Sequence, residues 1–217
     1  MTATLEARRC RRDFEYRDVP NGTGGTNLFF SGFASVTGDA AAYEMEDFLG
    51  PWTESVNVGA FARTLRNGAD VAFLRNHEGM TLARTGSGTL MLSEVVTGAT
   101  TGLYVEAKLD PRNPDVQALR SAVERGDVNE MSFAFRVTQQ SWDEEFTRRR
   151  IEVVDIDKGD VSAVNFGANP NTAGTVAIRG KARKTPDVSE LERNAARLGQ
   201  LVRINRAREA SLRRPAR

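Results

Sequence analysis

The sequence predicts an α+β fold in which β-strands outnumber α-helices. Of its 217 residues, 40% are hydrophobic and 27% are charged, which is typical of a soluble globular protein. Most apolar segments are short, and several alternate with polar residues, as strands do. Only one segment of the body carries both the start and the stop signals of a helix. The length suits one domain with a tail, since domains commonly have roughly 100–200 residues.

The first core strand is predicted at residues 28–37, an apolar and aromatic segment with Gly32 inside it. A glycine within a strand indicates a bulge or the close approach of another backbone. Residues 102–109 have apolar side chains at every second position, so one face of this strand should be buried and the other exposed to solvent. Further strand-like segments are found at residues 71–75, 89–92, 131–137, 146–156 and 160–166.

One helix is predicted at residues 113–126. Asn113 is suited to the cap, Pro114 to the first turn and Gly126 to the end, while Asp115 complements the helix dipole. The apolar residues of the segment then share one face: Val116, Leu119 and Val123.

The tail is basic and the body is mildly acidic. Residues 179–217 contain 12 basic and 4 acidic residues, a balance of +8, so residues 1–178 carry 1 − 8 = −7. Such a tail can bind nucleic acid by releasing counterions, dock on an acidic protein, or form a solvated helix face. No aromatic residues lie between the arginines. A protein that binds single-stranded nucleic acid usually has such aromatic residues, because the bases stack on them.

The domain organisation follows from composition. Residues 1–27 are predicted to form an arm, residues 28–179 the main domain, and residues 180–217 a basic linker and helix. Ser189 and Glu192 have the spacing of a capping box, and a narrow apolar stripe follows them. That stripe can pack on the body or pair with a second chain.

The sequence lacks the usual signals of several functional classes. A single cysteine, Cys10, excludes an intrachain disulfide, and with a single histidine, His77, it excludes the common zinc sites. Motifs for nucleotide, dinucleotide and zinc-peptidase chemistry are absent, and Gly86-Ser87-Gly88 is better explained as a turn than as a nucleophile elbow. No stretch approaches the roughly 20 apolar residues of a membrane helix, and arginines near the amino terminus argue against a secretory signal, so a cytoplasmic origin is expected.

Three residues could form a nucleophilic site. Histidine is the usual general base at neutral pH, and the chain has only His77, placed after an apolar strand where the turn 78–80 is expected. Strand alternation puts Ser132 opposite the apolar face of its strand, where it could be an accessible nucleophile. Asp160 opens a strand whose other residues are mostly apolar and could orient the histidine, although Asp155 and Asp157 compete for that role. Each of these residues taken alone is more often structural.

A series of short motifs runs through residues 28–179 in a fixed order. It consists of FFSGFASV at 29–36, ESV at 54–56 leading to GAF at 59–61, NH at 76–77, GTL at 88–90, GL at 102–103, RGDV at 125–128, MSFAF at 131–135 and DVSAV at 160–164. Each motif is weak by itself. Their ordered recurrence resembles the prohead (capsid maturation) proteases of tailed bacteriophages.

The resemblance implies a serine endopeptidase with a fold like that of the herpesvirus assembly proteases. That fold is a barrel-like body of mostly antiparallel strands with helices around it. In the family the Asn-His pair supplies the base, which matches His77, and the serine of the Met-Ser-Phe block is the nucleophile, which matches Ser132. An acidic residue before Val-Ser is the third member, which matches Asp160, although many relatives carry glutamate there.

The sequence departs from the family pattern after Phe166. It reads Phe-Gly-Ala-Asn-Pro where relatives commonly read Phe-Pro-Ala-Tyr-Pro. In the herpesvirus enzymes the oxyanion donor comes from a loop shortly after the third triad residue. The resemblance therefore implies a backbone amide near Ala168 or Asn169 as the donor, a contact worth roughly 3–4 kcal/mol in other serine proteases.

The resemblance also implies the substrates: the scaffolding protein or the scaffold-like part of the major capsid protein, and then the protease itself. The expected place of action is the host cytoplasm, inside the assembling prohead, with no metal, cofactor or membrane. A homodimer or higher homo-oligomer and a contact of the tail with DNA are left open. One rival function is a non-catalytic capsid-assembly or scaffold module, in which the Ser-His pair would be disrupted. The other is a nucleic-acid-binding β-barrel, in which aromatic residues and arginines would alternate along one strand.

Overall fold

The computed structural model describes residues 6–10, 15–20, 26–47, 50–97 and 100–166, together with the single helical residues 196, 200 and 203. Within these residues the chain forms twelve strands and two α-helices. The strands are β1 Glu6–Cys10, β2 Glu15–Pro20, β3 Thr26–Val36, β4 Tyr43–Asp47, β5 Gly50–Val56, β6 Ala72–Arg75, β7 Glu78–Arg84, β8 Leu90–Thr97, β9 Thr100–Leu109, β10 Glu130–Trp142, β11 Arg148–Asp155 and β12 Asp160–Val164. The helices are α1 Ala62–Arg66 and α2 Pro114–Glu124.

The strands form two sheets. The larger has the order β4-β5-β11-β10-β12-β6-β7, with β1 paired to β10 from outside this path, and the smaller has the order β2-β3-β9-β8. Most pairs are antiparallel, but β5 with β11 and β6 with β12 are parallel. The mainly β body with a few helices is confirmed.

The predicted barrel is not closed in the described residues. Strands β4 and β7 end the path of the larger sheet without pairing to each other. The sheets instead bury their apolar faces in one core, where the ring of Phe30 on β3 lies 4.8 Å from that of Phe73 on β6. Burial of apolar faces is the main stabilising term here, and packing two sheets face to face achieves it without closing either of them.

The predicted irregularity in the first core strand is confirmed. The register of β3 against β9 shifts between Phe33 and Ser35, which marks a bulge just after Gly32. A close backbone approach is found at Gly102. A Cβ atom at Gly102 would lie 2.0 Å from the carbonyl oxygen of Ser35, so only glycine fits there.

Helix α2 forms as its local signals predict. The Asn113 side chain accepts a hydrogen bond from the N–H of Asp115 at 2.9 Å, and Gly126 follows the helix with φ of 79°. The three predicted apolar residues are buried: Val116, Leu119 and Val123. Neither helix of the described part of the chain is long and apolar enough to cross a membrane. The predicted basic linker and C-terminal helix lie outside the described residues, apart from the three single positions named above.

Glu94 on β8 holds the turn that precedes α1. Its Oε1 accepts a hydrogen bond from the N–H of Gly59 at 2.6 Å. Its Oε2 is buried and has no hydrogen-bond partner among the residues that the structure describes. Burial raises the pKa of Glu94 to about 7, although the N–H groups of Gly59 and Phe61 oppose the rise.

Replacing Glu94 by glutamine should therefore flatten the pH dependence of stability. A carboxyl group whose pKa rises from 4.5 to about 7 on folding binds more protons in the folded state between these values. The free energy of unfolding then falls by about 3 kcal/mol as the pH rises through this window. Glutamine keeps the acceptor oxygen but does not titrate. Urea unfolding of both proteins across the window should show this slope in the wild type only; parallel curves would contradict the assignment.

Candidate active site

A strained two-residue turn presents His77. Strands β6 and β7 pair at Arg75 and Glu78, so Asn76 and His77 alone connect them. Both turn residues have positive φ, 52° and 62°, as a tight hairpin of type I′ requires. The predicted turn at 78–80 is wrong, because β7 already begins at Glu78. Asparagine tolerates this conformation well, but histidine is uncommon in it.

Hydrogen bonds from β12 and the residue after it hold this turn in place. The N–H of Asn76 donates to the carbonyl of Ala163 at 2.9 Å, and the N–H of Asn165 donates to Oδ1 of Asn76 at 3.0 Å. The N–H of His77 donates to Oγ of Ser162 at 3.1 Å. A strained conformation persists only where its surroundings fix it, and these three contacts do so.

Strand β12 lies between the strands that carry the histidine turn and the serine. It pairs in parallel with β6 and antiparallel with β10, and Ser162 is directly opposite Ser132. Val161 and Ala163 point into the hydrophobic core. Alternation then places Asp160 and Ser162 on the other face of the sheet, together with Ser132.

The three residues singled out from the sequence are brought together there. Nε2 of His77 lies 2.7 Å from Oγ of Ser132, and Nδ1 of His77 lies 2.6 Å from Oδ2 of Asp160. An ionised carboxylate only accepts hydrogen bonds, so Nδ1 carries the imidazole proton and Nε2 is left to accept from the serine hydroxyl. This arrangement can deprotonate the hydroxyl as it attacks a carbonyl.

The expected accessibility of Ser132 is wrong in this structure. The residue is fully buried, while the side chains of His77 and Asp160 are 20% and 12% exposed. Strand β12 covers one side of β10 at this point and β1 covers the other, with Arg9 opposite Ser132. The alternation itself is as predicted, because the neighbours of Ser132 along β10 lie in the core: Met131, Phe133 and Phe135.

The competing acids are engaged elsewhere. Oδ1 of Asp155 accepts from the hydroxyl of Thr64 at 3.2 Å, and Oδ1 of Asp157 accepts from the N–H of Asp70 at 2.8 Å. Each therefore ties the β11–β12 region to the segment around α1. Asp160 is the one of the three acids that pairs with His77.

Other predicted site features have mixed outcomes. Residues 85–87 form a 3₁₀ turn ending at Gly88 with φ of 69°, so Gly86-Ser87-Gly88 is a turn, as predicted. The expected oxyanion donors, Ala168 and Asn169, lie outside the described residues. Sequence reasoning did not single out Ser162, which donates from Oγ to Oδ2 of Asp160 at 2.6 Å. Strand alternation already placed it on the same face as Asp160.

Two surface cavities of the described part of the chain lie away from these residues. One has a volume of about 310 Å³ beside α1 and β11, and the other a volume of about 430 Å³ beside β5, β10 and β11. Neither is lined by His77, Ser132 or Asp160. Neither of these two cavities therefore gives access to Ser132.

Comparison with known proteins identifies the family. The model described as caudovirus prohead serine protease matches residues 21–186. The structure of the bacteriophage T4 capsid assembly protease, gp21, is similar over 76% of this chain and 98% of that chain, with 12% sequence identity and a TM-score of 0.49. No curated protein sequence matches the chain. Because the family model spans well over half of its length, the chain belongs to the caudovirus prohead serine protease family.

Proposed function

We propose that this chain is a serine endopeptidase in which Ser132 is the nucleophile, His77 the general base and Asp160 the group that orients the base. The observation that carries the proposal is the unbroken chain of hydrogen bonds from Oγ of Ser132 through both nitrogens of His77 to Asp160, at 2.7 and 2.6 Å. Families with unrelated folds use the same arrangement for acyl transfer.

The reaction follows from this arrangement. Oγ of Ser132 attacks the peptide carbonyl while Nε2 of His77 takes its proton, and Asp160 stabilises the imidazolium that forms. His77 then returns the proton to the leaving amine, and water releases the acyl-enzyme by the same route. A backbone N–H near Ala168 or Asn169 is the proposed donor to the oxyanion.

The proposed substrates are the scaffolding protein or the scaffold-like part of the major capsid protein, followed by the protease itself. Cleavage would take place in the assembling prohead within the host cell, and removal of the internal scaffold would leave room for DNA. Membership of the prohead protease family supports this choice of substrates. The basic tail is the proposed arm that carries the enzyme into the shell, because a segment with a balance of +8 can dock on an acidic protein surface.

Co-expression with the capsid and scaffold genes of the same phage would test the function. Intact-mass measurement should show the substrate shortened at defined peptide bonds only when the protease is present. Expression of each substrate alone supplies the control. A capsid protein and a scaffold of unchanged mass, together with soluble and folded protease, would contradict the proposal.

Displacement of strand β1 is the proposed step that lets a substrate reach Ser132. It pairs with β10 from Glu6 opposite Phe135 to Cys10 opposite Met131, so the edge beside the nucleophile is occupied. Deleting residues 1–14 should therefore raise the rate of substrate cleavage about tenfold or more. Each ladder hydrogen bond contributes about 1 kcal/mol net, and about 1.4 kcal/mol corresponds to tenfold. A truncated protein that is folded but no faster would contradict this expectation.

A matched pair of proline variants tests whether the hydrogen bonds between β1 and β10, and not only the presence of the β1 segment, limit the cleavage rate. In an antiparallel strand, successive N–H groups point alternately toward and away from the partner, and proline has no N–H. Arg8 and Arg9 are neighbours within β1. Of Arg8→Pro and Arg9→Pro, the variant that loses the N–H directed at β10 should be the more active one. Equal rates for the two variants would count against displacement of this ladder.

A further inference from the structure

Ser162 contacts two members of the proposed triad at once. It lies at the centre of β12 and is fully buried. Its Oγ donates to Oδ2 of Asp160 at 2.6 Å and accepts from the backbone N–H of His77 at 3.1 Å. A hydroxyl can donate and accept at the same time, whereas an ionised carboxylate only accepts. The directions of both hydrogen bonds are therefore fixed.

The contact to Asp160 is made at the atom that holds the imidazole. Oδ2 of Asp160 accepts both from Oγ of Ser162 and from Nδ1 of His77, each at 2.6 Å. A carboxylate side chain can rotate about its χ angles unless its oxygens are held. Ser162 holds the same oxygen that orients His77, and so fixes the position from which the imidazole is directed at Ser132.

The contact to His77 is made at the strained turn. The neighbouring Asn76 is anchored by the carbonyl of Ala163 and by the N–H of Asn165, both backbone groups that no side-chain substitution removes. The N–H of His77, in contrast, donates to the hydroxyl of Ser162. The loss of this hydroxyl would leave the residue that bears the imidazole without that anchor, at a φ of 62°.

Resting on the catalytic roles proposed above, we propose that Ser162 is a positioning residue of this protease, which fixes both the backbone and the Nδ1 side of His77 so that Nε2 stays within reach of Ser132. The register supports this role, because Ser162 is the cross-strand neighbour of Ser132 on β10. One strand position thus sets the spacing between the nucleophile, the base and the acid. A misplacement of about 1 Å in such a site can cost about 100-fold in rate.

The test compares the wild type with Ser162→Ala and with the control Ser35→Ala. Ser35 is also a buried strand serine, but it lies on β3 in the other sheet. The first readout is the rate at which a fluorophosphonate labels Ser132, expressed per folded molecule. The second is the downfield N–H resonance of the imidazole, which needs no assignment because the chain has one histidine.

In Ser162→Ala the labelling rate should fall about 10- to 100-fold, and the resonance should broaden or disappear as the imidazole loses its fixed partner. Ser35→Ala should match the wild type in both. A wild-type labelling rate per folded molecule in Ser162→Ala overturns the proposal, since a purely structural hydroxyl would lower stability alone. If Ser132 is labelled neither in the wild type nor after deletion of residues 1–14, the proposed function fails; the resonance still tests Ser162, and its retention in Ser162→Ala overturns the role.

Discussion

Replacing Ser132 by alanine should abolish cleavage of the capsid or scaffold substrate, with a loss in turnover of about 10⁶. The substitution removes the oxygen that attacks the carbonyl, and in a catalytic triad the loss of the nucleophile costs about as much as the loss of all three groups. The folded structure should be preserved, because the alanine occupies less space at a fully buried position. The measurement is substrate cleavage over time by purified proteins of equal concentration.

Ser35→Ala supplies the control for this experiment. It removes a hydroxyl from a serine that is 3% exposed and lies in the smaller sheet, so it imposes a similar change on a buried strand. Its turnover should stay within a few-fold of the wild type. Substantial cleavage by Ser132→Ala would mean that another residue is the nucleophile.

The second large effect is expected for Asp160→Asn, with a loss in turnover of about 10⁴. An amide can donate to Nδ1 of His77, which favours the tautomer with the proton on Nε2, where it can no longer accept from Ser132. The same substitution removes the acceptor of the Ser162 hydroxyl, because Ser162 and His77 both contact Oδ2 of Asp160, which the amide nitrogen would replace. Steady-state kinetics on a cleavable peptide derived from the capsid substrate would measure the loss.

Asp157→Asn is the matched control, since Asp157 lies three residues before Asp160 and competes with it for the orienting role on sequence alone. Its carboxylate accepts from the N–H of Asp70 instead of contacting His77. The variant should be less stable but should keep its turnover within about an order of magnitude of the wild type. The reverse ranking of the two variants would place the orienting acid at Asp157.

The elements predicted from sequence are those whose signals are local. Helix α2 carries its cap, its first-turn proline and its terminal glycine within 14 residues, and it forms as predicted. Composition and the alternation of apolar and polar residues predict the strands β3 and β9. In contrast, β4 and β7 are polar edge strands whose own sequences do not predict a strand. They form because a neighbouring strand supplies backbone hydrogen bonds.

The residues of the candidate site could be predicted from the sequence, but the strand pairings that bring them together could not. The motifs and the single histidine pointed to His77 and Ser132, and the resemblance favoured Asp160, whereas only the coordinates place its competitors Asp155 and Asp157 away from His77. The position of Asp160 depends on β12 lying between β6 and β10, which is a long-range pairing. The pairing of β1 beside Ser132 is also long-range, because β1 is a short arginine-bearing segment more than 120 residues away in sequence. The role proposed for Ser162 was not predictable either, because it rests on the register that places Ser162 opposite Ser132.

The central claim is that His77 activates Ser132, and covalent trapping tests it most directly. The folded wild-type protein would be treated with a fluorophosphonate, digested, and mapped by mass spectrometry, with His77→Ala treated in parallel. The account predicts a single adduct on the peptide that contains Ser132, formed by the wild type and absent from His77→Ala. An adduct on a different serine, or an equal yield at Ser132 without the imidazole, would contradict it.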